Sequence, residues 1–168
     1  MRVTRANAER MYAQALAEFP FECCGMIIGP EGEDIEAEDT VRPCRNIQQD
    51  LHQKYPERFP RDATIGYTMA KDDIEAIVKE AHDQGWVVKA CYHSHPNTGA
   101  YFSQEDRRNA EGWDLWFPGV RFVVLSAYPR EIRDMQGYRW DEPTQTFVSV
   151  PIEVSDEEEL TGGSGHVN

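Results

Sequence analysis

Helical and extended apolar patterns alternate along this chain, and that alternation restricts its fold more than any other feature. Apolar residues recur at helical spacing over residues 4–19 and again over about 71–84, where Gly85 is placed to end the helix. Short apolar runs and alternating segments between and after these helices predict strands. These segments are residues 23–29, 86–92, 121–128, 132–140 and 146–154, with a short helix at about 103–112. The pattern predicts a single α/β (α+β) domain.

Three further segments carry few apolar residues, and we expect them to lie outside the core. Residues 31–39 hold six carboxylates and no basic residue, which predicts a solvated turn and an edge strand. Residues 43–66 contain three prolines and little periodicity, so we expect a long loop over the body of the domain. From residue 155 to residue 168, an acidic run followed by a glycine-rich run predicts a flexible tail. The domain itself is therefore predicted to span residues 1–154.

The balance of charge narrows the classes of partner. The 168 residues include 17 basic and 30 acidic side chains, which gives a formal net charge of −13. A nucleic-acid-binding protein needs a lysine- and arginine-rich surface, and an anionic membrane surface repels the same sign of charge. No apolar run approaches the roughly 20 residues of a membrane-spanning helix, and the N-terminus lacks the pattern of a secretory signal. We therefore expect a cytoplasmic protein that binds neither nucleic acid nor membrane.

The chemistry is concentrated in the segment that follows the second predicted strand. His93 and His95 alternate along an extended chain, so both imidazoles can point to one side, and Pro96 keeps His95 extended. Asp106 lies in the first turn of the helix that begins near Ser103, and its carboxylate can face back toward the strand end. Two histidines and one carboxylate leave a fourth tetrahedral position for water, which is the arrangement of a catalytic zinc site.

Two more side chains could complete such a site. Glu22, directly before the buried strand at residues 23–29, is our candidate for the general acid/base that amide hydrolysis requires. Ser103 could donate a hydrogen bond to the developing oxyanion. Each residue also has an ordinary structural interpretation: a surface carboxylate, surface histidines, or a capping box formed by Ser103 with Asp106. The complete spacing H-x-H-x7-S-x2-D is rare by chance, and it favours the metal site.

Three other features have a structural and a functional interpretation. Cys91 would share the face of His93, but three successive same-face positions span too far to meet at one metal, which favours a buried thiol. Trp113 and Trp116 are expected to pack in the core rather than to stack on a ligand. The loop at residues 43–66 could cover the site and hold a substrate tail, or could be a solvated insertion. The basic residues in and beside this loop are Arg42, Arg45, Lys54, Arg58 and Arg61.

The residues of the candidate site also carry a resemblance to a known family. Glu22 stands before Cys-Cys-Gly and a strand, and His93-Ser94-His95-Pro96, Ser103 and Asp106 follow at set intervals. In these features the chain resembles the JAMM (MPN-plus) zinc metallopeptidases, most closely their short bacterial members, over most of residues 5–152. The resemblance implies a cytidine-deaminase-like MPN fold, with a mixed central sheet flanked by helices. It further implies that His93, His95 and Asp106 bind one zinc ion (Zn²⁺) per chain, that Glu22 is the general acid/base and that Ser103 stabilises the tetrahedral intermediate.

The same resemblance implies a class of substrate. Members of this family cleave peptide or isopeptide bonds that follow the C-terminal glycines of ubiquitin-like proteins, and the short bacterial members resemble enzymes that process small sulfur-carrier proteins. Two other hypotheses stay open. The chain could be a zinc hydrolase of a small amide, although it lacks the H-x-E…P-C-x-x-C signature of the zinc deaminases. It could also be a non-catalytic adaptor that zinc stabilises. The sequence leaves both a monomer and a homodimer open.

Overall fold

The computed structural model describes residues 1–156, and its helices form where apolar residues recur on one face. The first helix buries Ala8, Met11 and Ala15, and the third buries Ile77 and Ala81, at intervals of three and four residues. The three helices expected from the sequence are all present, and a fourth, short helix lies within the predicted loop. The helices are α1 (Arg5–Glu18), α2 (Gln48–Lys54), α3 (Lys71–Asp83) and α4 (Gln104–Trp116).

Six strands form one mixed sheet through the centre of the molecule, and two short strands form a second, parallel pair. The strands are β1 (Arg2–Thr4), β2 (Cys24–Gly29), β3 (Thr40–Cys44), β4 (Val87–Pro96), β5 (Arg121–Tyr128), β6 (Glu131–Asp141), β7 (Thr146–Val150) and β8 (Glu153–Ser155). The order in the larger sheet is β3-β2-β4-β5-β6-β7, in which only β4 and β5 are parallel. β1 pairs with β8.

Helices cover both faces of the larger sheet. Along β2, Cys24, Met26 and Ile28 point into the core shared with α3 and α4, whereas Ile27 points into the core shared with α1. The same alternation divides β5, where Val123 and its neighbours face opposite layers. The expectation of an α/β domain with a mixed central sheet flanked by helices is confirmed.

The link from α3 to β4 shows why a glycine stands where the sequence predicts the helix to end. Gly85 has a φ of +67°, a conformation that a residue with a side chain adopts only with strain. The N–H of Trp86 donates to the carbonyl of Ala81 at 2.8 Å, and that of Gly85 donates to His82 at 3.1 Å. This pair of bonds is a Schellman motif, which turns the chain directly into β4.

Two predicted segments differ from the structure. The edge strand expected within residues 31–39 lies later, at β3, because Asp39 turns inward to pair with Lys89 and the acidic segment makes only an isolated bridge. The single strand expected at residues 146–154 is divided into β7 and β8. Pro151 stands between them, and its missing N–H does not continue a ladder.

The loop expected at residues 43–66 contains the end of β3 and all of α2. Gln48 is the residue that α2 buries, so no apolar periodicity marks this helix in the sequence. The prediction that Trp116 packs in the core is wrong, because its position at the end of α4 leaves it 78% exposed. Trp113, also expected in the core, is partly buried and packs against it.

The described part of the chain ends just after β8. Ser155, the first residue of the predicted tail, belongs to this strand, and residues 157–168 lie outside the described residues. The domain limits of 1–154 stay a prediction. Within residues 1–156, no helix combines the length and the apolar character needed to cross a membrane.

Candidate active site

The C-terminal end of β4 presents two imidazoles on the sheet face that α3 and α4 cover. His93 and His95 lie within the strand, which continues past the end that the sequence indicated. Because one residue separates them, strand alternation points both rings the same way. The two side chains are buried, and their Nε2 atoms are 3.1 Å apart. β2 and β5 fix the backbone here, because His93 pairs with Cys24 on one side and Val124 on the other.

Asp106 reaches the same point from the first turn of α4. A capping box starts this helix: the Asp106 N–H donates to the Ser103 hydroxyl, and the Ser103 N–H donates to the Asp106 carboxylate. The Asp106 carboxylate lies 3.1 Å from Nε2 of His93 through Oδ1 and 3.3 Å from Nε2 of His95 through Oδ2. The Asp106 carboxylate therefore caps α4 and contacts both histidines at the same time.

Hydrogen bonds set the tautomer of His95. Its Nδ1 lies 3.1 Å from the backbone carbonyl oxygen of Gly99. Because that oxygen can only accept, Nδ1 carries a hydrogen, so the lone pair of the neutral ring is on Nε2, where a metal ion would bind. In the protonated ring, Nε2 donates to Asp106 instead. The neutral ring is therefore the form that is ready to bind a metal ion.

Burial and the carboxylate act differently on the pKa values of the cluster. Burial lowers the pKa of His93 and outweighs its contact with Asp106. Burial also opposes the charged form of His95, but the hydrogen bond and charge of Asp106 raise that pKa. Burial alone would raise the pKa of Asp106, whereas hydrogen bonds from His93, His95 and Ser103 hold it well below its usual range. The result is an ionised carboxylate between two imidazoles, which favours a cation there.

Glu22 lies in the segment just before β2 and enters the same groove. Its side chain is buried, and its backbone is held from two sides: its N–H donates to the Ala63 carbonyl at 2.7 Å, and its carbonyl accepts from the Asn46 side chain at 2.9 Å. Burial raises the pKa of Glu22 to about 8; His95 and Arg61 lower it, and Asp106 raises it further. This carboxyl group is therefore tuned to exchange protons near neutral pH.

Ser103 already uses its hydroxyl within the capping box. The hydroxyl donates to Oδ2 of Asp106 at 2.6 Å and accepts from the Asp106 N–H at 3.0 Å. It lines the groove together with Glu22 and His95. The structure thus brings all five residues of the sequence pattern to one place, with Ser103 acting as the helix cap in this state.

Three residues around the site were not identified from the sequence. The Tyr67 ring stacks on His93 with centroids 4.6 Å apart, and the Tyr101 ring lies 4.9 Å from that of His95. On the other face of β4, the Ser94 hydroxyl accepts the N–H of Cys23 at 2.8 Å and so ties the chain beside Glu22 to the histidine strand. Ser94 and Tyr101 had a signal, because both lie within the segment that carries the candidate ligands; Tyr67 comes from a distant segment that shows no shared pattern.

A groove of about 390 Å³ runs over these residues. One wall is formed by the site itself, and the other by residues 58–68, which include the end of the predicted loop. The end of the predicted loop therefore lies beside the site, as the first of its two interpretations expects.

Cys91 is a buried free thiol of the core and does not belong to the cluster of His93, His95 and Asp106.

The donor set fits a divalent transition metal. One ligand atom each from His93, His95 and Asp106 lies within 4.8 Å of the others, and all three residues are buried. Neutral imidazole nitrogen and carboxylate oxygen are ligands that zinc accepts, and three protein ligands leave a position open for chemistry. The three residues could therefore hold a metal ion beside an acid/base group.

Comparison with known proteins gives a family and named relatives. The family model of prokaryotic homologs of the JAB domain matches residues 4–140. Proteins named CysO-cysteine peptidase, from Mycobacterium bovis and Mycobacterium tuberculosis, are each 28% identical over 138 residues, which is 82% of this chain and 81% of theirs.

Two solution structures share the fold. A protein from Desulfitobacterium hafniense is 24% identical, with a TM-score of 0.68, and the match covers 98% of this chain and 99% of that one. A protein from Salinibacter ruber is 21% identical, with a TM-score of 0.59 and 94% of each chain covered. These likenesses concern the architecture of the whole described domain.

Proposed function

Because this chain belongs to the family of prokaryotic JAB-domain homologs, we propose that it is a zinc-dependent peptidase. Its reaction is hydrolysis of a peptide or isopeptide bond after the C-terminal glycines of a ubiquitin-like or sulfur-carrier protein. The observation that carries the proposal is the convergence of His93, His95 and Asp106 beside the buried Glu22 in one groove. The relatives named CysO-cysteine peptidase support the class of substrate.

His93, His95 and Asp106 are the residues that would hold the zinc ion. When bound, zinc supplies a Lewis acid for the substrate carbonyl and lowers the pKa of a water molecule to around 7. The protein prepares this position without the ion, since Gly99 fixes the tautomer of His95 and Ser103 holds the Asp106 carboxylate.

Glu22 has the position and the pKa of the proton carrier. Hydrolysis joins the oxygen of water to the glycine carbonyl carbon and breaks the C–N bond. The glycine ends as a carboxylate, and both water protons end on the leaving nitrogen as an ammonium group. Glu22 accepts a proton from the water and passes it to the leaving nitrogen, a transfer that suits a carboxyl group whose pKa of about 8 lies near neutrality.

Ser103 supplies a donor for the oxyanion that develops at the carbonyl. Its hydroxyl lies at the start of α4 and lines the groove, and it is bonded to Asp106 within the cluster. Redirecting this hydroxyl toward the substrate leaves the Ser103 N–H on Asp106, so the carboxylate stays held. A single added donor is worth several kcal/mol in other hydrolases, about 2.7–4 kcal/mol.

The shape of the groove suits a narrow tail. An extended Gly-Gly segment has no side chains to accommodate, and a groove of about 390 Å³ has room for a few residues rather than a folded domain.

We assign the protein to the cytoplasm, since its four cysteines are free thiols, as is usual in reducing compartments.

Metal analysis and cleavage of a matched substrate test this function. We expect close to one zinc ion per chain, cleavage of a sulfur-carrier protein extended beyond Gly-Gly, and loss of cleavage with a chelator. His95→Ala and Asp106→Ala should each lose the metal, because two ligands hold zinc poorly. His82→Ala, which changes an exposed histidine of α3, is the matched control and should keep both metal and activity. Stoichiometric zinc in His95→Ala would show that the ligand set is wrong.

A further inference from the structure

The segment that forms the outer wall of the groove brings a cation to the site. Arg61 and Arg58 both line the groove with Glu22, whereas the other charged groups there, Glu105 and Asp106, are acidic. The chain has 30 acidic and 17 basic residues, and two of the basic ones line this groove. A cation in this position favours an anionic group on the ligand.

The backbone around Arg61 is fixed to the site rather than free in solvent. The buried side chain of Gln48 donates to the Arg61 carbonyl at 2.7 Å. Two residues later, the Ala63 carbonyl accepts the N–H of Glu22 at 2.7 Å, and the Ala63 N–H donates to the Gln49 side chain at 3.1 Å. Arg61 is thus carried on a segment that α2 and the Glu22 backbone hold on both sides.

The guanidinium of Arg61 is also available. Within residues 1–156 it has no carboxylate at ion-pair distance, whereas Arg45, near the start of the same predicted loop, is paired with Asp72 and Asp73. The Arg58 guanidinium lies over its neighbour Phe59, 5.5 Å from the ring centroid. Arg61 is near enough to Glu22 for its charge to lower the pKa of that carboxyl group.

A leaving amino acid and a leaving lysine side chain differ in the charge that they carry close to the scissile nitrogen. A single leaving amino acid carries its α-carboxylate carbon about 2.5 Å from the scissile nitrogen, as the N–Cα and Cα–C bond lengths require. A lysine side chain released from an isopeptide bond has only methylene groups there. A cation next to Glu22 therefore suits a terminal carboxylate and does nothing for a lysine side chain.

We propose that Arg61 binds the α-carboxylate of a single amino acid joined to the C-terminal glycine, so that the site releases one residue from the end of its substrate. This inference rests on the proposed function and makes it more specific. Arg61 acts as a specificity-determining residue: water is added across the Gly–amino acid bond as above, and the released residue leaves with its carboxylate on the guanidinium. Arginine suits this task because its paired N–H donors match a carboxylate.

A pair of peptides that differ only in terminal charge tests the assignment. Both end in Gly-Gly-Cys, one with a free carboxylate and one with a carboxamide. For the zinc-loaded protein we expect kcat/KM to be about tenfold or more higher for the acid, mainly through KM, as one charge-assisted contact allows. Arg61→Gln should bring the ratio of the two kcat/KM values close to one; any change that the lost charge makes through Glu22 affects both peptides and cancels in this ratio. Equal rates in the unaltered protein, or a preference that survives Arg61→Gln, would overturn the inference.

Binding separates this inference from the proposed function. With Glu22→Gln, fluorescence anisotropy of labelled peptides should show tighter binding of the acid, and Glu22→Gln/Arg61→Gln should bind both alike. Arg10→Gln, on the opposite face of the sheet, should leave the preference unchanged. Preferential binding without cleavage supports the inference and contradicts the peptidase; equal cleavage of both peptides does the reverse. A preference lost in Arg58→Gln and kept in Arg61→Gln contradicts the assignment to Arg61.

Discussion

At the scale of single residues, two carboxyl groups in one groove have opposite environments. Asp106 receives hydrogen bonds from both histidines and from Ser103, which hold its pKa well below its usual range despite burial. Glu22 is buried with little compensation, and its pKa rises to about 8. Such a division assigns the ionised group to binding a cation and the other to carrying protons. The roles that we propose for the two residues follow this difference.

Replacing Glu22 by glutamine should separate these two roles. Glu22→Gln keeps the size of the side chain and removes proton exchange, so zinc content should stay unchanged while kcat falls by roughly 10²–10⁴-fold. Glu18→Gln is the control, because Glu18 is a half-buried carboxyl group of α1 that lies outside the groove. Metal content from elemental analysis and a steady-state cleavage assay give the answer. A kcat within twofold of the unaltered protein would remove Glu22 from the mechanism.

At the scale of elements, the site depends on how the start of β2 is held against the end of β4. The ladder brings Cys24 opposite His93, and beyond it the Ser94 N–H donates to the Cys23 carbonyl at 3.1 Å. The Ser94 hydroxyl then accepts the Cys23 N–H at 2.8 Å. The residue between the two histidines thus fixes the chain next to Glu22 and sets the distance between proton carrier and ligands.

Ser94→Ala should therefore weaken both stability and catalysis. It leaves the buried Cys23 N–H without an acceptor, which costs about 1–3 kcal/mol in the free energy of unfolding. It also frees the Glu22 segment, so kcat should fall by roughly tenfold or more while zinc is retained. Ser149→Ala, an exposed serine of β7, is the control and should be nearly neutral. Urea denaturation within 0.5 kcal/mol of the unaltered protein would contradict the role of Ser94.

The same elements show what the sequence could and could not predict. β4 and the start of α4 carry their signals locally, in an apolar run, a proline and a capping box, so the meeting of His93, His95 and Asp106 is predictable from the sequence. α2 has no such signal, because polar contacts of Gln48 and Asn46 hold it rather than an apolar face. β1 and β8 pair only because the two ends of the domain meet in space. Arg61 and Tyr67 reach the site for the same non-local reason.

At the scale of the whole molecule, the net charge is −13, and a few ion pairs join part of the acidic excess to the body of the domain. The acidic segment at residues 31–39 is fixed to the body by Arg2, which pairs with Asp34 and Glu36, and by Arg121, which pairs with Glu33. These pairs are at least partly exposed and each contributes little, about 0–1 kcal/mol. The ion pair of Lys89 with Asp39 differs from these because it is buried: the two side chains are 4% and 0% exposed.

The Lys89–Asp39 pair joins the acidic segment to the end of the sheet remote from the candidate site. Nζ lies 2.6 Å from Oδ2 of Asp39, which also accepts the Glu36 N–H at 2.7 Å. Oδ1 is buried and has no hydrogen-bond partner within residues 1–156, and it lies against Gly29, where a Cβ would come within 1.7 Å of it. The carboxylate is therefore fixed in place and depends on Lys89 for compensation of its charge.

Removing the lysine should destabilise the fold without disturbing the metal site. Lys89→Met leaves Asp39 buried and unpaired, so the free energy of unfolding should fall by about 3–5 kcal/mol in urea denaturation. Lys89→Met/Asp39→Asn removes both charges and should recover a large part of this loss. Lys79→Ala, which breaks the exposed pair with Asp83, should cost about 0.5 kcal/mol or less. Zinc content should not change, because His93 lies about 13 Å further along β4. A loss below 1 kcal/mol in Lys89→Met would show that the acidic segment does not depend on this pair.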